Sequence, residues 1–421
     1  MKIAVWHNLP SGGGKRALYY HVRGLVERGN TVEAWCPPTA DPAYLPLRDL
    51  IPEHVLPLDW TSPSDRGPIG RVLNQYRETT RRLAAMDRHC RESAEEINRG
   101  GYDVLFANAC IYFRTTSIGR HIRIPSVLYL GEPFRWLYEA LPELPWVALP
   151  SPESQTWSWR YWRRFLHNLV DVQACRIQAR EELQSARGFG TILVNSWFSR
   201  ESVIRAYGLN AQVCQLGIDT ALFLEQGRPR ERFVIGLGAI VPEKRVEVAI
   251  EAIARVRAPR PDLVWIGNVA RPAYLEEVQR LARSRSVTFR PEIGIADKDL
   301  VDLLNRAAAL VYAPRLEPFG FAPLEANACG LPVVAVAEGG VRETVRDGIN
   351  GLLVEDDPGA IARGVERLLL DPSYAARLGS AGAELVRREW SLPASIDRLE
   401  ARLAEAIRRP TRASLTPGPH P

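Results

Sequence analysis

Two glutamates stand eight residues apart in the run Glu317-Pro318-Phe319-Gly320-Phe321-Ala322-Pro323-Leu324-Glu325. Between them a glycine-containing turn leads into a segment able to start a helix, with Pro323 tolerated in its first turn. The free N–H groups of such a turn suit a phosphate. The two carboxylates do not, because like charges repel; they suit neutral hydroxyls, such as those of a sugar and a ribose. A second run, Ser11-Gly12-Gly13-Gly14-Lys15-Arg16, also offers amides to a phosphate, although it reads equally well as a plain tight turn. It is no P-loop, since Leu9 and Arg16 replace the required Gly and Ser/Thr, and the dinucleotide G-x-G-x-x-G pattern fails as well. The third feature is Lys244. Only Lys2, Lys15, Lys244 and Lys298 are lysines; the other 50 of the 54 basic residues are arginines. A compact ammonium on a flexible stem suits a diphosphate.

These groups need elements to hold them. Short apolar runs at residues 3–6, 31–35, 104–107, 126–130 and 191–194 read as one set of strands. Runs at 233–237, 263–266, 287–289, 309–312, 332–336 and 351–354 read as a second, with helical periodicity between them, as at 246–256 and 360–370. Continuous apolar strands alternating with helices imply parallel sheets covered on both faces. In such sheets ligands bind beyond the carboxyl ends of the strands, where the turn after 309–312 lies. The expected fold class is therefore α/β, with two doubly wound, Rossmann-like domains.

In this light the chain resembles the large family of retaining GT-B glycosyltransferases called family 4, the group 1 type. Glu317 and Glu325 resemble its E-x7-E motif, and residues 12–16 its glycine loop. Asn195-Ser196-Trp197-Phe198-Ser199, Leu216-Gly217-Ile218-Asp219 with Phe223, Gly238-Ala239-Ile240-Val241-Pro242-Glu243-Lys244, Gly339-Gly340 and Asp347-Gly348-Ile349-Asn350-Gly351 follow in the family's order. The resemblance implies two domains facing across a cleft, the first for the acceptor and the second for a nucleotide diphosphate sugar. Glu325 is then expected to accept from ribose hydroxyls and Glu317 from sugar hydroxyls. Lys244 and the backbone near Phe319, Gly320 and Phe321 are expected to take the diphosphate, with Gly12 and Gly13 closing over it. Two positions depart from the pattern. Ala239 replaces an Arg of the family, a loss that Arg245 or Arg315 would have to make good. In Leu130-Gly131-Glu132-Pro133-Phe134-Arg135-Trp136, Gly131 aligns with a family His, leaving Glu132 as a sugar contact or an ordinary loop acid. His7 is a candidate for the cleft or a structural histidine. The resemblance implies retention. Without a carboxylate pair placed for double displacement, a front-face route is expected, in which the leaving diphosphate accepts the acceptor's proton. Two alternatives stand beside this reading: a non-catalytic binding subunit with the same fold, and a synthase acting on a soluble sugar phosphate.

The 421 residues are enough for two domains, expected at 1–216 and 217–393, followed by a helix at 394–408 that could pack back on the first domain and a disordered tail at 409–421. A net charge of +5 does not ask for nucleic acid. The six cysteines form no metal-ligand spacing and read as buried thiols. With no D-x-D-like motif, neither metal nor cofactor is required. The start is too quickly polar for a signal peptide, and no run reaches membrane-spanning length. A cytoplasmic protein is expected, or one lying peripherally at the inner face of the membrane. Residues 157–169 bear on that choice. Read as a helix, they place Tyr161, Trp162, Phe165, Leu166 and Leu169 on one side and Arg160, Arg163, Arg164 and His167 on another. Such a helix either packs its aromatics into the first domain or lies on an anionic membrane. The acceptor is accordingly expected to be a glycan or lipid-linked.

Overall fold

A computed structural model describes residues 1–61, 68–140, 144, 146–147, 158–257 and 259–409. The expected disordered tail lies outside them except for Arg409, as does Trp157. The chain divides into two units. Residues 1–195, 199–214 and those from Ile396 on form the first; residues 196–198 and 215–395 form the second.

The first unit is built on seven strands: β1 (Lys2–Asn8), β2 (Thr31–Cys36), β3 (Glu53–Val55), β4 (Val104–Cys110), β5 (Ser126–Tyr129), β6 (Thr191–Val194) and β7 (Gln212–Val213). All pair in parallel, in the order β3-β2-β1-β4-β5-β6-β7. Its helices are α1 (Gly13–Glu27), α2 (Pro68–Arg99), α3 (Ile118–His121), α4 (Arg135–Tyr138), α5 (Trp159–Arg187) and, from Ser199 on, α6 (Trp197–Tyr207). β3 and β7 are short outer strands with few apolar residues, so a reading based on apolar runs passes over them. It passes over α2 for a related reason. That helix is rich in Arg and Glu, and among its described side chains one face is buried, through Ala85, Met86, His89, Cys90, Ser93, Ala94 and Ile97.

The second half of α5 packs through Ala174, Cys175, Gln178, Glu182, Ser185 and Ala186. Glu182 is buried; it accepts from the Tyr207 hydroxyl at 2.9 Å and from Gln178 Nε2 at 3.2 Å. Burial pushes its carboxyl up to about 7. The folded state therefore holds a proton that the unfolded chain releases near 4.5, and stability falls as pH rises through that window. Glu182→Gln mimics the protonated acid. The wild type is expected to lose up to about 3 kcal/mol between pH 5 and pH 8, at roughly 1.4 kcal/mol per pKa unit, and the variant to lose much less. Urea midpoints at the two pH values measure the difference.

The second unit carries β8 (Phe233–Leu237), β9 (Asp262–Gly267), β10 (Phe289–Ile293), β11 (Ala309–Tyr312), β12 (Val333–Val336) and β13 (Gly351–Val354), again all parallel, in the order β10-β9-β8-β11-β12-β13. Its helices are α7 (Val246–Arg255), α8 (Pro272–Ser284), α9 (Asp297–Arg306), α10 (Phe321–Ala328), α11 (Val341–Thr344), α12 (Pro358–Leu370), α13 (Pro372–Glu389) and the first turn of α14 (Leu392–Arg408). The strand expected at 287–289 instead runs from Phe289 through Pro291 to Ile293. A proline is tolerated there because β10 is an edge strand, with one side of its ladder unused. From Ile396 on, α14 belongs to the first unit. There Asp397 and Glu400 ion-pair with Arg28 at 2.7 and 2.8 Å, and Asn30 donates to Glu400 at 2.6 Å.

Both sheets reverse strand order beside their first strand, between β1 and β4 and between β8 and β11. In doubly wound sheets that reversal opens a crevice at the carboxyl ends of the two strands.

Candidate functional site

In the second unit the loops leaving β8 and β11 carry the residues that the sequence singled out. After β8, residues 238–241 lead into a short turn, Pro242–Lys244, and then α7. After β11, residues 313–320 lead into α10, with Gly320 at its N-cap in the left-handed region, φ 99°. No hydrogen bond among the described residues engages the amides of Phe319, Gly320 or Phe321. A helix N-terminus with free amides carries a partial positive charge that favours an anion.

The structure brings Lys244 and Glu317 together, with the ammonium donating to Glu317 Oε2 at 2.7 Å. Both side chains keep some exposure, as an ion pair able to exchange partners must. Glu325, a turn into α10, is buried, only 3% exposed. The two acids share a neighbour that no motif singles out, Tyr312 at the end of β11. Burial first, and then the Glu317 and Glu325 carboxylates, push its hydroxyl well above its usual range. The E-x7-E spacing thus places both carboxylates around one buried phenol.

The loop is held from behind. Gly340 N–H donates to the Glu317 carbonyl at 2.8 Å. A Cβ at Gly339 or Gly340 would overlap the backbone of Glu317 or Pro318, so the Gly339-Gly340 pair is needed for close approach. Phe319 is buried, its ring 5.2 Å from Phe321 and 5.6 Å from Trp390, and it anchors the turn. Asn350 is also structural. Its amide donates to Asn327 Oδ1 at 2.7 Å and to the Thr344 carbonyl at 2.9 Å, tying the strand β13 turn to α10.

Arg245 sits in the left-handed region, φ 55°. Its guanidinium bonds Asp356 at 2.7 Å and the Ala313 carbonyl at 3.2 Å, which fixes the start of the loop after β11. Arg315 lies 3.8 Å from Glu338.

In the first unit, Gly12 caps α1 at φ 141°, and Gly13 is its first residue. His7, at the end of β1, is fully buried. Its Nε2 lies 3.4 Å from Glu53, while its Nδ1 has no hydrogen-bond partner among the described residues. Burial holds its pKa below the usual value, against the raising effect of Glu53, so the ring is neutral. Donor atoms of His7, Cys36 and Glu53 lie within 4.8 Å of one another, the one such group among the described residues able to hold a metal. Lys15, also buried, adjoins it; its charge opposes a divalent cation there. Glu53 was invisible to motif reading, and Lys15, although part of the glycine run, gave no sign of being buried, because burial of a charged residue has no sequence signature. Glu132 lies between Arg114 at 3.2 Å and Arg135 at 3.6 Å.

Residues 222–385 match the family model of glycosyl transferases group 1. Over 222 residues the chain is 34% identical to a GDP-mannose-dependent alpha-(1-6)-phosphatidylinositol monomannoside mannosyltransferase of Mycolicibacterium smegmatis, covering 47% of this chain and 56% of that protein. Over 243 residues it is 29% identical to a D-inositol 3-phosphate glycosyltransferase of Streptomyces bingchenggensis, covering 51% and 52%. The chain thus spans about half the length of the curated relatives it matches. Among solved structures, Anabaena Alr3699/HepE in complex with UDP and glucose superposes with a TM-score of 0.69 at 18% identity, covering 96% of this chain and 99% of that one. Sucrose-phosphate synthase from Thermosynechococcus elongatus gives the same values. The fold is that of the GT-B glycosyltransferases, with two Rossmann-like parallel-sheet domains. The family match lies in the second unit and takes in Lys244, Glu317 and Glu325.

Proposed function

We propose that this chain is a retaining glycosyltransferase that moves a hexosyl group from a nucleotide diphosphate sugar to a glycan or lipid-linked acceptor. The observation that carries the reading is the Lys244–Glu317 pair beside the free amides of residues 319–321, at the strand-order reversal of the second sheet. A cation and a helix N-terminus there form a diphosphate site. Glu317 accepts from the sugar's hydroxyls and Glu325 from the ribose. Gly12 and Gly13 offer phosphate-binding amides of their own in the first unit. As the glycosidic bond breaks, negative charge grows on the diphosphate and positive charge on the sugar. Lys244 and the amides oppose the first, and the departing oxygen takes the acceptor's proton.

The names of the relatives include GDP-mannose and UDP, so donors of both bases belong in the test. A thermal-shift screen across GDP- and UDP-sugars is expected to single out one donor. A ligand at about 100 times its Kd adds roughly 2.7 kcal/mol of stability. A flat response to every nucleotide sugar would refute the proposal. The Ala239 and Gly131 departures favour the second reading, a non-catalytic binding subunit. That protein would show the shift but no release of nucleoside diphosphate when acceptor is added.

A further inference from the structure

The first four turns of α5 stand apart from the rest of the helix. No residue from 159 to 173 is buried, whereas the inward face from Ala174 on is packed. Of the two readings of this helix, packing of its aromatics into the first domain holds at most in part, since Tyr161 and Phe165 are half-buried and Trp162 is exposed. Trp159 is 76% exposed, Trp162 44%, Leu166 50% and Leu169 49%. These four residues follow one another at intervals of three, four and three, which lines them along one side of a helix. Arg160, Arg163 and Arg164 are exposed on the adjoining side, and no described carboxylate pairs with any of them. His167, beside them, is held by Asp171 at 2.8 Å.

A large apolar strip kept in water is unfavourable, and a patch of this kind marks a contact surface. Its chemistry selects the partner. Indole rings favour the boundary between hydrocarbon and water. Arginines beside them reach outward to phosphate while their stems stay on the apolar strip. Among the described residues no helix is long and apolar enough to cross a membrane, so the contact lies on the surface. We infer that the N-terminal half of α5 docks this protein on an anionic lipid bilayer, with Trp159, Trp162, Leu166 and Leu169 entering the interface and Arg160, Arg163 and Arg164 on lipid phosphates. The inference stands without the transferase reading. Together with it, it places a lipid-linked acceptor at the surface where the enzyme resides.

The test is co-sedimentation of the full chain with phosphatidylcholine vesicles and with vesicles in which phosphatidylglycerol replaces part of the lipid. Binding is expected on the anionic vesicles alone, weakening as salt rises. The triple variant R160Q/R163Q/R164Q is expected to bind about a hundredfold less well, at roughly fivefold per charge. Trp159→Ser with Trp162→Ser should also lose vesicle binding while melting at the wild-type temperature. Equal sedimentation with both lipids would overturn the inference. So would a drop in melting temperature in the tryptophan variant, which would show the rings packed against protein. Concentration-dependent self-association abolished by Trp162→Ser would overturn it in favour of a second copy of the chain. Vesicle binding needs no nucleotide, so its failure leaves donor binding, measured separately, untouched.

Discussion

Lys244→Ala is expected to lower kcat by about a hundred- to a thousandfold, the range seen when one preorganised contact to transition-state charge is removed. The ammonium donates to Glu317 at 2.7 Å. A diphosphate brings stronger acceptors, and the ammonium shifts its bonding toward them as charge accumulates on the leaving group. Loss of Lys244 does more than delete that contact. It leaves the Glu317 carboxylate uncompensated beside a phosphate, so donor affinity falls as well. Stability should hardly change, because a partly exposed ion pair contributes roughly 0–1 kcal/mol. Lys244→Arg should restore only part of the rate. The lysine stem lies along Gly238, with 3.4 to 3.6 Å from its carbons to a Cβ built there, and a rigid fork does not follow the same path. Steady-state kinetics with a melting curve on each variant decide the matter. A Lys244→Ala protein that melts early yet keeps its kcat would make the residue a strut for the loop after β11.

What the sequence could and could not show follows from the range of the interactions involved. The strands of the second unit other than β10 were legible because each is a short apolar run, mostly buried, whereas β10 was misplaced because Arg290, Pro291 and Glu292 break its apolar pattern and none of its residues is buried. Residues 317–325 were legible because glycine, proline and two acids occupy fixed places within one turn and one helix start. What the sequence hid is nonlocal. Nothing near residue 312 says that its hydroxyl lies by two carboxylates, and nothing near residue 244 says that it pairs with an acid 73 positions away. His7 illustrates the same limit, since its neighbours Glu53 and Lys15 arrive from β3 and α1. Helix α5 shows the converse. Its periodicity was plain, but periodicity says only that a face is apolar and leaves its neighbour unnamed. The first half of that face has none in the first unit's core.

Glu325→Ala is expected to weaken nucleoside diphosphate binding by roughly 1.5–3 kcal/mol, about ten- to a hundredfold, the worth of hydrogen bonds to a charged acceptor. The residue sits a turn into α10, behind the free amides of Phe319, Gly320 and Phe321, and is 3% exposed. A carboxylate so buried has little water to solvate it, so a hydroxyl that reaches it gains a strong acceptor. Truncation also removes a neighbour of Tyr312, which makes the fold a competing explanation for any loss. The ligand separates the two. Calorimetric titration of wild type and Glu325→Ala with a nucleoside diphosphate and with its 2′-deoxy and 3′-deoxy forms completes a double-mutant cycle between the side chain and each hydroxyl. If Glu325 accepts from the ribose, the wild type discriminates against at least one deoxy form and the variant does not. Glu325→Gln, which keeps the shape and loses the charge, should fall between them. Equal penalties for the deoxy ligands in wild type and variant would remove Glu325 from the ribose and leave it a buried brace for α10.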